Sequence, residues 1–299
     1  MRLLVNATGY GDPPGGAGLR ARHLLGELEG HEIVFLLAED TPDSVVPPNA
    51  DAVRLPVRSS ARFLRLLTLR ATRDGDAFLT DHFPVARIPT VVTAHDRGGS
   101  ALRRAFLRRN LRRAAKAVAV SAAVRDALGV DAAVVPNGYD PPRTTAAGPP
   151  RPYLLLSDPA LPHKGARVAR EAARALGTPL LEVGRGARWL DRAAMDAHLQ
   201  GAAAVLCPSF EEGFGMVALE AMALGVPVAA SDLPAHREVC GDVPFYAPPR
   251  DVAAFVEAAR AALACPEDRR ERGRGRARAF TWASAARALG HLLATMKPT

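Results

Sequence analysis

Short apolar runs recur along the chain, most of them separated by stretches with helical spacing. RLLVNAT (2–8), HEIVFLLA (31–38), DAFLTDH (76–82), PTVVTAHD (89–96), AKAVAVS (115–121) and AAVVPNG (132–138) read as strands. Helices are expected over 19–29 and 60–73 and in the arginine-rich segment from 97. The strand runs are apolar throughout rather than alternating, which is the pattern of a parallel sheet covered on both faces. PNGYDPPRTTAAGPPRPY (136–153) breaks the rhythm with prolines and glycines and reads as a linker. The alternation then restarts, with strands at 153–157, 179–183, 202–207, 226–230 and 243–247. Helices are expected over 164–176, 191–201, 215–224, 250–264, 267–279 and 281–296. The pattern predicts an α/β protein of two doubly wound, Rossmann-like domains facing a central cleft. The expected boundaries are 1–142 and 143–280, with 281–299 as a closing helix.

The chain has 299 residues, of which 48% are hydrophobic and 23% charged, which fits two globular domains. No apolar run reaches the roughly 18–20 residues of a membrane span. The first apolar run gives way to glycine and proline too soon for a signal peptide, so a cytoplasmic chain is expected. Cys207, Cys240 and Cys265 are odd in number and far apart, and suit neither a disulfide framework nor a zinc site. Net charge is +8, and arginine crowds RGGSALRRAFLRRNLRRAAKA (97–117), which holds no acid. That segment can be a solvated helix face. It can also be a peripheral contact with an anionic membrane surface at the inner face, or with a phosphorylated acceptor. Nucleic acid is not expected, because no stacking platform or recognised module accompanies the charge.

The stretch SFEEGFGMVALEAMALGVPVAASD (209–232) carries the most specific chemistry. A strand should end near Pro208, with Glu212 in the loop at its carboxyl end, where open parallel sheets place ligands. Gly213 and Gly215 allow close backbone approach. A helix starting near Gly215 would offer free N–H groups to an anion and carry Glu220 beyond its first turn. The two acids can be surface residues at a helix start. Equally, each carboxylate can accept from a vicinal diol, with phosphates between them.

The word CPSFEEGFGMVALEAMALGVPVAASD resembles the signature of the family-4 retaining glycosyltransferases of the GT-B fold, with its Glu-x7-Glu spacing. LPAHREVCGDVPFYAPPRDVAAF (233–255), the 89–140 half with its His-Asp strand end, and AFTW (279–282) extend the likeness over nearly the whole chain. The resemblance implies transfer of a sugar from a nucleotide-diphosphate sugar to a hydroxyl acceptor, without a bound metal or other cofactor. It implies that the last helix crosses back onto the first domain. It gives Glu212 the donor sugar, Glu220 the nucleotide ribose, and the backbone of Gly213, Phe214, Gly215, Met216 and Val217 the sugar and diphosphate. Lys164, in DPALPHKG, would meet the departing diphosphate, and His95 would lie near the sugar and acceptor. Glu212, Lys164 and His95 are thus the implied catalytic residues. Asp96, as a partner for His95, and His82 and Gly15 would serve the acceptor side, and Gly16 the donor phosphate.

Two departures stand out. The family arginine five residues before the lysine is Pro159 here, with Arg167, Arg185 or Arg188 as substitutes. The segment between EVGRG and AVLCPS is short. A rival reading is therefore a non-catalytic module that pairs with an active subunit. DGD (74–76) reads as a turn rather than a metal site, and GYGDPP and GRGARW fail as dinucleotide fingerprints.

Overall fold

In the computed structural model the described residues are 1–8, 10, 16–58, 75–81, 88–139 and 152–296. The expected helix at 60–73, most of the linker, Gly15 and His82 lie outside them. The chain divides into two units, Met1–Gly138 with Thr281–Thr299, and Tyr139–Phe280.

The first unit is built on seven parallel strands: β1 (Arg2–Asn6), β2 (Glu32–Leu37), β3 (Asp51–Arg54), β4 (Ala77–Thr80), β5 (Thr90–Ala94), β6 (Lys116–Ala119) and β7 (Ala133–Val134). They lie in the order 3-2-1-4-5-6-7, so the order reverses between β1 and β4. Helix α1 (Gly16–Gly26) follows the first strand, α2 (Ala101–Arg113) the fifth and α3 (Ala122–Leu128) the sixth. Leu3, Val5, Phe35 and Leu37 from the sheet bury against Leu24 and Leu25 of α1.

The second unit has five parallel strands: β8 (Leu154–Ser157), β9 (Leu180–Val183), β10 (Ala204–Cys207), β11 (Val228–Ser231) and β12 (Phe245–Ala247). Their order is 12-11-10-8-9, with the reversal between β8 and β10. The helices are α4 (Ala166–Leu176), α5 (Arg192–Gly201), α6 (Met216–Ala223), α7 (Pro234–Cys240), α8 (Val252–Leu263) and α9 (Glu267–Ala277). Every residue of β10 and β11 is buried, and all but Ser231 are apolar. Their core partners are small: Ala169 and Ala172 of α4 and Ala258, Ala259 and Ala262 of α8 pack around Phe255.

The last helix, α10 (Trp282–Ala294), belongs to the first unit. Thr281 caps it by accepting from the Ser284 amide. Trp282, Leu289 and Leu293 join the first core, and Trp282 stacks on His23 at 5.5 Å. Fully burying a side chain of this size contributes about 1.5–3 kcal/mol, enough to hold the returning segment in place.

Three short elements escape the apolar pattern. β3 is exposed at all four positions and exists through its backbone pairing with Val34–Leu37. α3 is defined by its ends, the Ser121 cap and the left-handed Gly129. α7 opens on Pro234, whose missing N–H costs nothing at a helix start.

Candidate active site

Each unit brings ionisable side chains to the carboxyl ends of its strands, beside the point where the strand order reverses. In an open parallel sheet the connections on either side of that point leave on opposite faces and open a crevice.

In the second unit the crevice lies between β8 and β10. The chain leaves β8 through a loop and a 3-10 turn at Pro162–Lys164, then enters α4 at Gly165. It leaves β10 at Pro208 and reaches α6 through Gly215. Both glycines are left-handed. A Cβ on Gly165 would sit 2.1 Å from the Pro208 carbonyl oxygen, and one on Gly215 would sit 2.9 Å from Cδ2 of His236. At Gly165 the two loops therefore meet backbone to backbone, beside Lys164 and Glu212, while Gly215 makes room for the His236 ring.

The Lys164 Nζ donates to Glu212 Oε2 at 2.8 Å, and Ser209 Oγ donates to the same oxygen at 3.1 Å. Burial pushes the Glu212 carboxyl up, but the charges of Lys164 and His236 and the two hydrogen bonds outweigh it and hold the group below its ordinary value. Burial likewise works to lower Lys164, and the Glu212 charge more than reverses that, so the ammonium is held above its ordinary range. His236 is buried, and burial lowers its pKa against the pull of Glu212. Its Nδ1 donates to the Ser231 carbonyl at 2.8 Å, so that whenever the ring is neutral Nε2 is the acceptor. A cavity of about 20 Å³ among Ser157, Lys164, Cys207, Ser209, Glu212 and His236 has room for one water. Burial pushes the Cys207 thiol up to about 12, so it is inert at neutral pH.

No side chain caps the start of α6, which is where the sequence places the amides of Met216 and Val217. Phe214 is buried, edge-on to Phe280 at 5.7 Å, and anchors the turn between the two loop glycines. Glu220 is buried near the middle of α6 and accepts from Arg192 at 2.6 Å. Arg192 also pairs with buried Asp196, whose other oxygen has no hydrogen bond. Glu220 is thus not a solvated surface acid.

The Pro159 loop is braced by the loop after β9. Asp158, itself left-handed, accepts from the Arg185 amide at 2.9 Å, and the Ala160 amide donates to the Arg185 carbonyl at 3.0 Å. Of the three substitute arginines, Arg167 is paired with Glu171 at 2.8 Å. Arg188 is exposed. Arg185 has its main chain fixed beside Pro159 while its side chain is exposed.

In the first unit the crevice lies between β1 and β4. Asp81, just past β4, accepts from the Tyr10 hydroxyl at 2.9 Å and lies 2.9 Å from Nε2 of His95, just past β5. The histidine contact is close but off the line of a hydrogen bond. Arg20 of α1 is buried behind them and held by the Val135 carbonyl at 3.0 Å. Burial lowers its pKa to about 10, against the Asp81 charge, and burial, then Asp81, raises that of Tyr10 well above its ordinary value. Asp96, expected as the partner of His95, instead accepts from the Gly98 amide at 2.6 Å and Arg103 at 3.1 Å. Gly16 opens α1.

Ser209, His236, Arg192 and Asp81, none of them marked by the sequence pattern, contact the expected site residues. Ser209 and His236 lie inside or just beyond the recognised word, and Asp81 directly precedes His82. Among the described residues no group of three or more His, Cys, Asp or Glu is placed to hold a metal ion, and no helix is long and apolar enough to cross a membrane.

Two parallel sheets with this strand order, and these switch-point sites, define the GT-B fold. The fold is shared with sucrose-phosphate synthase from Thermosynechococcus elongatus (TM-score 0.79, 17% identity, 98% of both chains). It is also shared with Anabaena Alr3699/HepE in complex with UDP-glucose (TM-score 0.75, 16% identity, 99% of this chain and 100% of that one). Within it, residues 165–265 match the family model described as glycosyl transferases group 1. A phosphatidyl-myo-inositol mannosyltransferase from Mycobacterium leprae is 34% identical over 171 residues, 46% of either chain. The chain thus spans about half the length of that curated relative.

Proposed function

We propose that the chain is a retaining glycosyltransferase of family 4, moving a sugar from a nucleotide-diphosphate sugar to a hydroxyl acceptor. The observation that carries this reading is the Lys164–Glu212 pair beside the uncapped start of α6 at the switch point of the second sheet. In the reaction the bond from the anomeric carbon to the diphosphate oxygen breaks. The acceptor oxygen bonds to the same face of that carbon, and its proton passes to the departing phosphate. Negative charge grows on the diphosphate as this happens. Lys164, once drawn from Glu212 by the bound diphosphate, and the backbone amides of residues 213–217 would meet it as positive ends in place before the bond breaks. Lys164 thereby supplies the cation, and the reading calls for no metal.

Glu212 faces the sugar hydroxyls and the positive charge that develops at the anomeric carbon. A bound diphosphate competes for Lys164, which frees Glu212 to accept from the sugar. Glu220, oriented by Arg192, accepts from the ribose diol. Arg185, fixed beside Pro159, stands in for the arginine that the family carries at that position. His95, with its ring set by Asp81, serves the sugar and acceptor. A structural neighbour in complex with UDP-glucose supports a nucleotide-sugar donor, and a mannosyltransferase relative supports sugar transfer.

The test is nucleotide release from a panel of nucleotide sugars, with the anomeric configuration of the product read by NMR. Release from one donor is expected, with retained configuration. Lys164→Met and Glu212→Gln should each lower turnover by about 10²–10³-fold, the loss typical of removing one transition-state contact. Wild-type turnover in both variants would overturn the assignment. Donor binding with no turnover by the wild type would return the chain to a non-catalytic module.

A further inference from the structure

Helix α2 turns its apolar side chains the wrong way for a core helix. Its buried residues are Asn110 and Leu111, whereas Leu102 is 83% exposed and Phe106, one turn on, 55% exposed. Only five large apolar side chains are exposed among the described residues, and two of them share this face. At 3.6 residues per turn, Ala105, Arg109, Arg112 and Arg113 fall on the same face, and all four are exposed. The arginines divide by role. Arg103 pairs with Asp96, Arg104 bonds the Arg97 and Gly99 carbonyls, and Arg108 bonds the Ala127 carbonyl. These fix the helix to its own unit. Arg109, Arg112 and Arg113 have no partner among the described residues. With Arg104 and Arg108 they line an open hollow of about 480 Å³.

We infer that this face of α2 is a docking surface for an anionic phospholipid bilayer. Leu102 and Phe106 would enter the boundary between head groups and acyl chains, and the unpaired arginines and their hollow would take lipid phosphates. A polyanion such as nucleic acid would satisfy the arginines but leave two large apolar side chains facing water. A bilayer takes both. The inference stands independently of the glycosyl-transfer reading, because it is read by binding alone.

Flotation with phosphatidylcholine vesicles, with and without phosphatidylglycerol, tests it at about 0.1 M salt, where screening extends over about 10 Å. The wild-type chain should float only with the phosphatidylglycerol vesicles and release at high salt. Each basic residue near such a surface contributes about 1 kcal/mol, so Arg109→Gln/Arg112→Gln/Arg113→Gln should weaken retention about a hundredfold. Leu102→Ser/Phe106→Ser should weaken it at least tenfold. All five side chains are exposed, so the thermal midpoints of both variants should match the wild type and exclude unfolding as the cause. Failure of the wild type to float, or equal flotation of the apolar variant, would overturn the inference. Salt-sensitive retention of duplex DNA with no retention of vesicles would assign the face to nucleic acid instead.

Discussion

The two switch points use the same architecture in different ways. In the second unit the site is made of neighbours: Ser209, Glu212, Gly215 and Glu220 lie on one continuous loop and helix, and Lys164 arrives from the adjacent strand end. Each cation is held by carboxylates within the unit, Lys164 by Glu212 and Arg192 by both Glu220 and Asp196. In the first unit a single carboxylate, Asp81, gathers a tyrosine and a histidine from strand ends far apart in sequence, before a buried arginine. The first arrangement is a cradle of internally paired charges in which a charged ligand must compete for a cation. The second positions one histidine.

The largest effect that would break this contrast is steric. Gly165→Ala drives a Cβ into the Pro208 carbonyl oxygen, and neither backbone can yield without parting Lys164 from Glu212. A loss of about 3 kcal/mol or more is expected, together with left-handed strain, read as a fall in thermal midpoint. A midpoint unchanged from wild type would show that the cradle is not rigid.

The next effect falls in the first unit. Asp81→Asn keeps the shape but replaces the carboxylate that lies 2.9 Å from the His95 ring. Turnover should drop about tenfold, less than the roughly 10²–10⁴-fold that a proton-transferring group itself contributes, while KM for the donor stays unchanged. A raised donor KM with unchanged turnover would move Asp81 from positioning to binding. Arg185→Ala should show the reverse split, with KM for the donor several-fold higher, on the order of 1 kcal/mol, and turnover intact. No change would remove Arg185 as the replacement for the missing arginine.

The smallest effect separates the two electrostatic designs by pH. Glu212 is held below its ordinary 4.5 in the folded chain. Its contribution to stability is therefore fully present above the unfolded value and lost as pH falls through the folded one. The thermal midpoint of wild type relative to Glu212→Gln should narrow as pH drops below about 4.5. A gap that stays constant through acid would mean the pair contributes nothing to stability.

The sequence exposes the second site because its chemistry sits in one word. Glu212 and Glu220 are set by loop and helix spacing, and a buried apolar strand fixes where the loop begins. What lies across the sheet is harder to read. Lys164 is recognisable only by resemblance, and its contact with Glu212 depends on Gly165, whose missing Cβ lets the loop after β8 touch the Pro208 carbonyl. His95 was matched to Asp96 by adjacency, yet successive side chains of an extended segment point to opposite sides. Its partner Asp81 comes from the neighbouring strand through the register that sets Leu79 opposite Val91, which no local pattern encodes. β3 was invisible for a related reason: its pairing is backbone to backbone, and its side chains carry no apolar signal.

Under the proposed function Lys164 and Glu212 exchange their mutual contact for a nucleotide-diphosphate sugar. A thermal-shift screen of nucleotide sugars against wild type and Lys164→Met tests it most directly. The wild-type midpoint should rise with at least one donor, by the equivalent of about 2.7 kcal/mol at a hundredfold excess over Kd, and the variant should lose most of that rise. An equal rise in the variant would place the donor elsewhere and contradict the account.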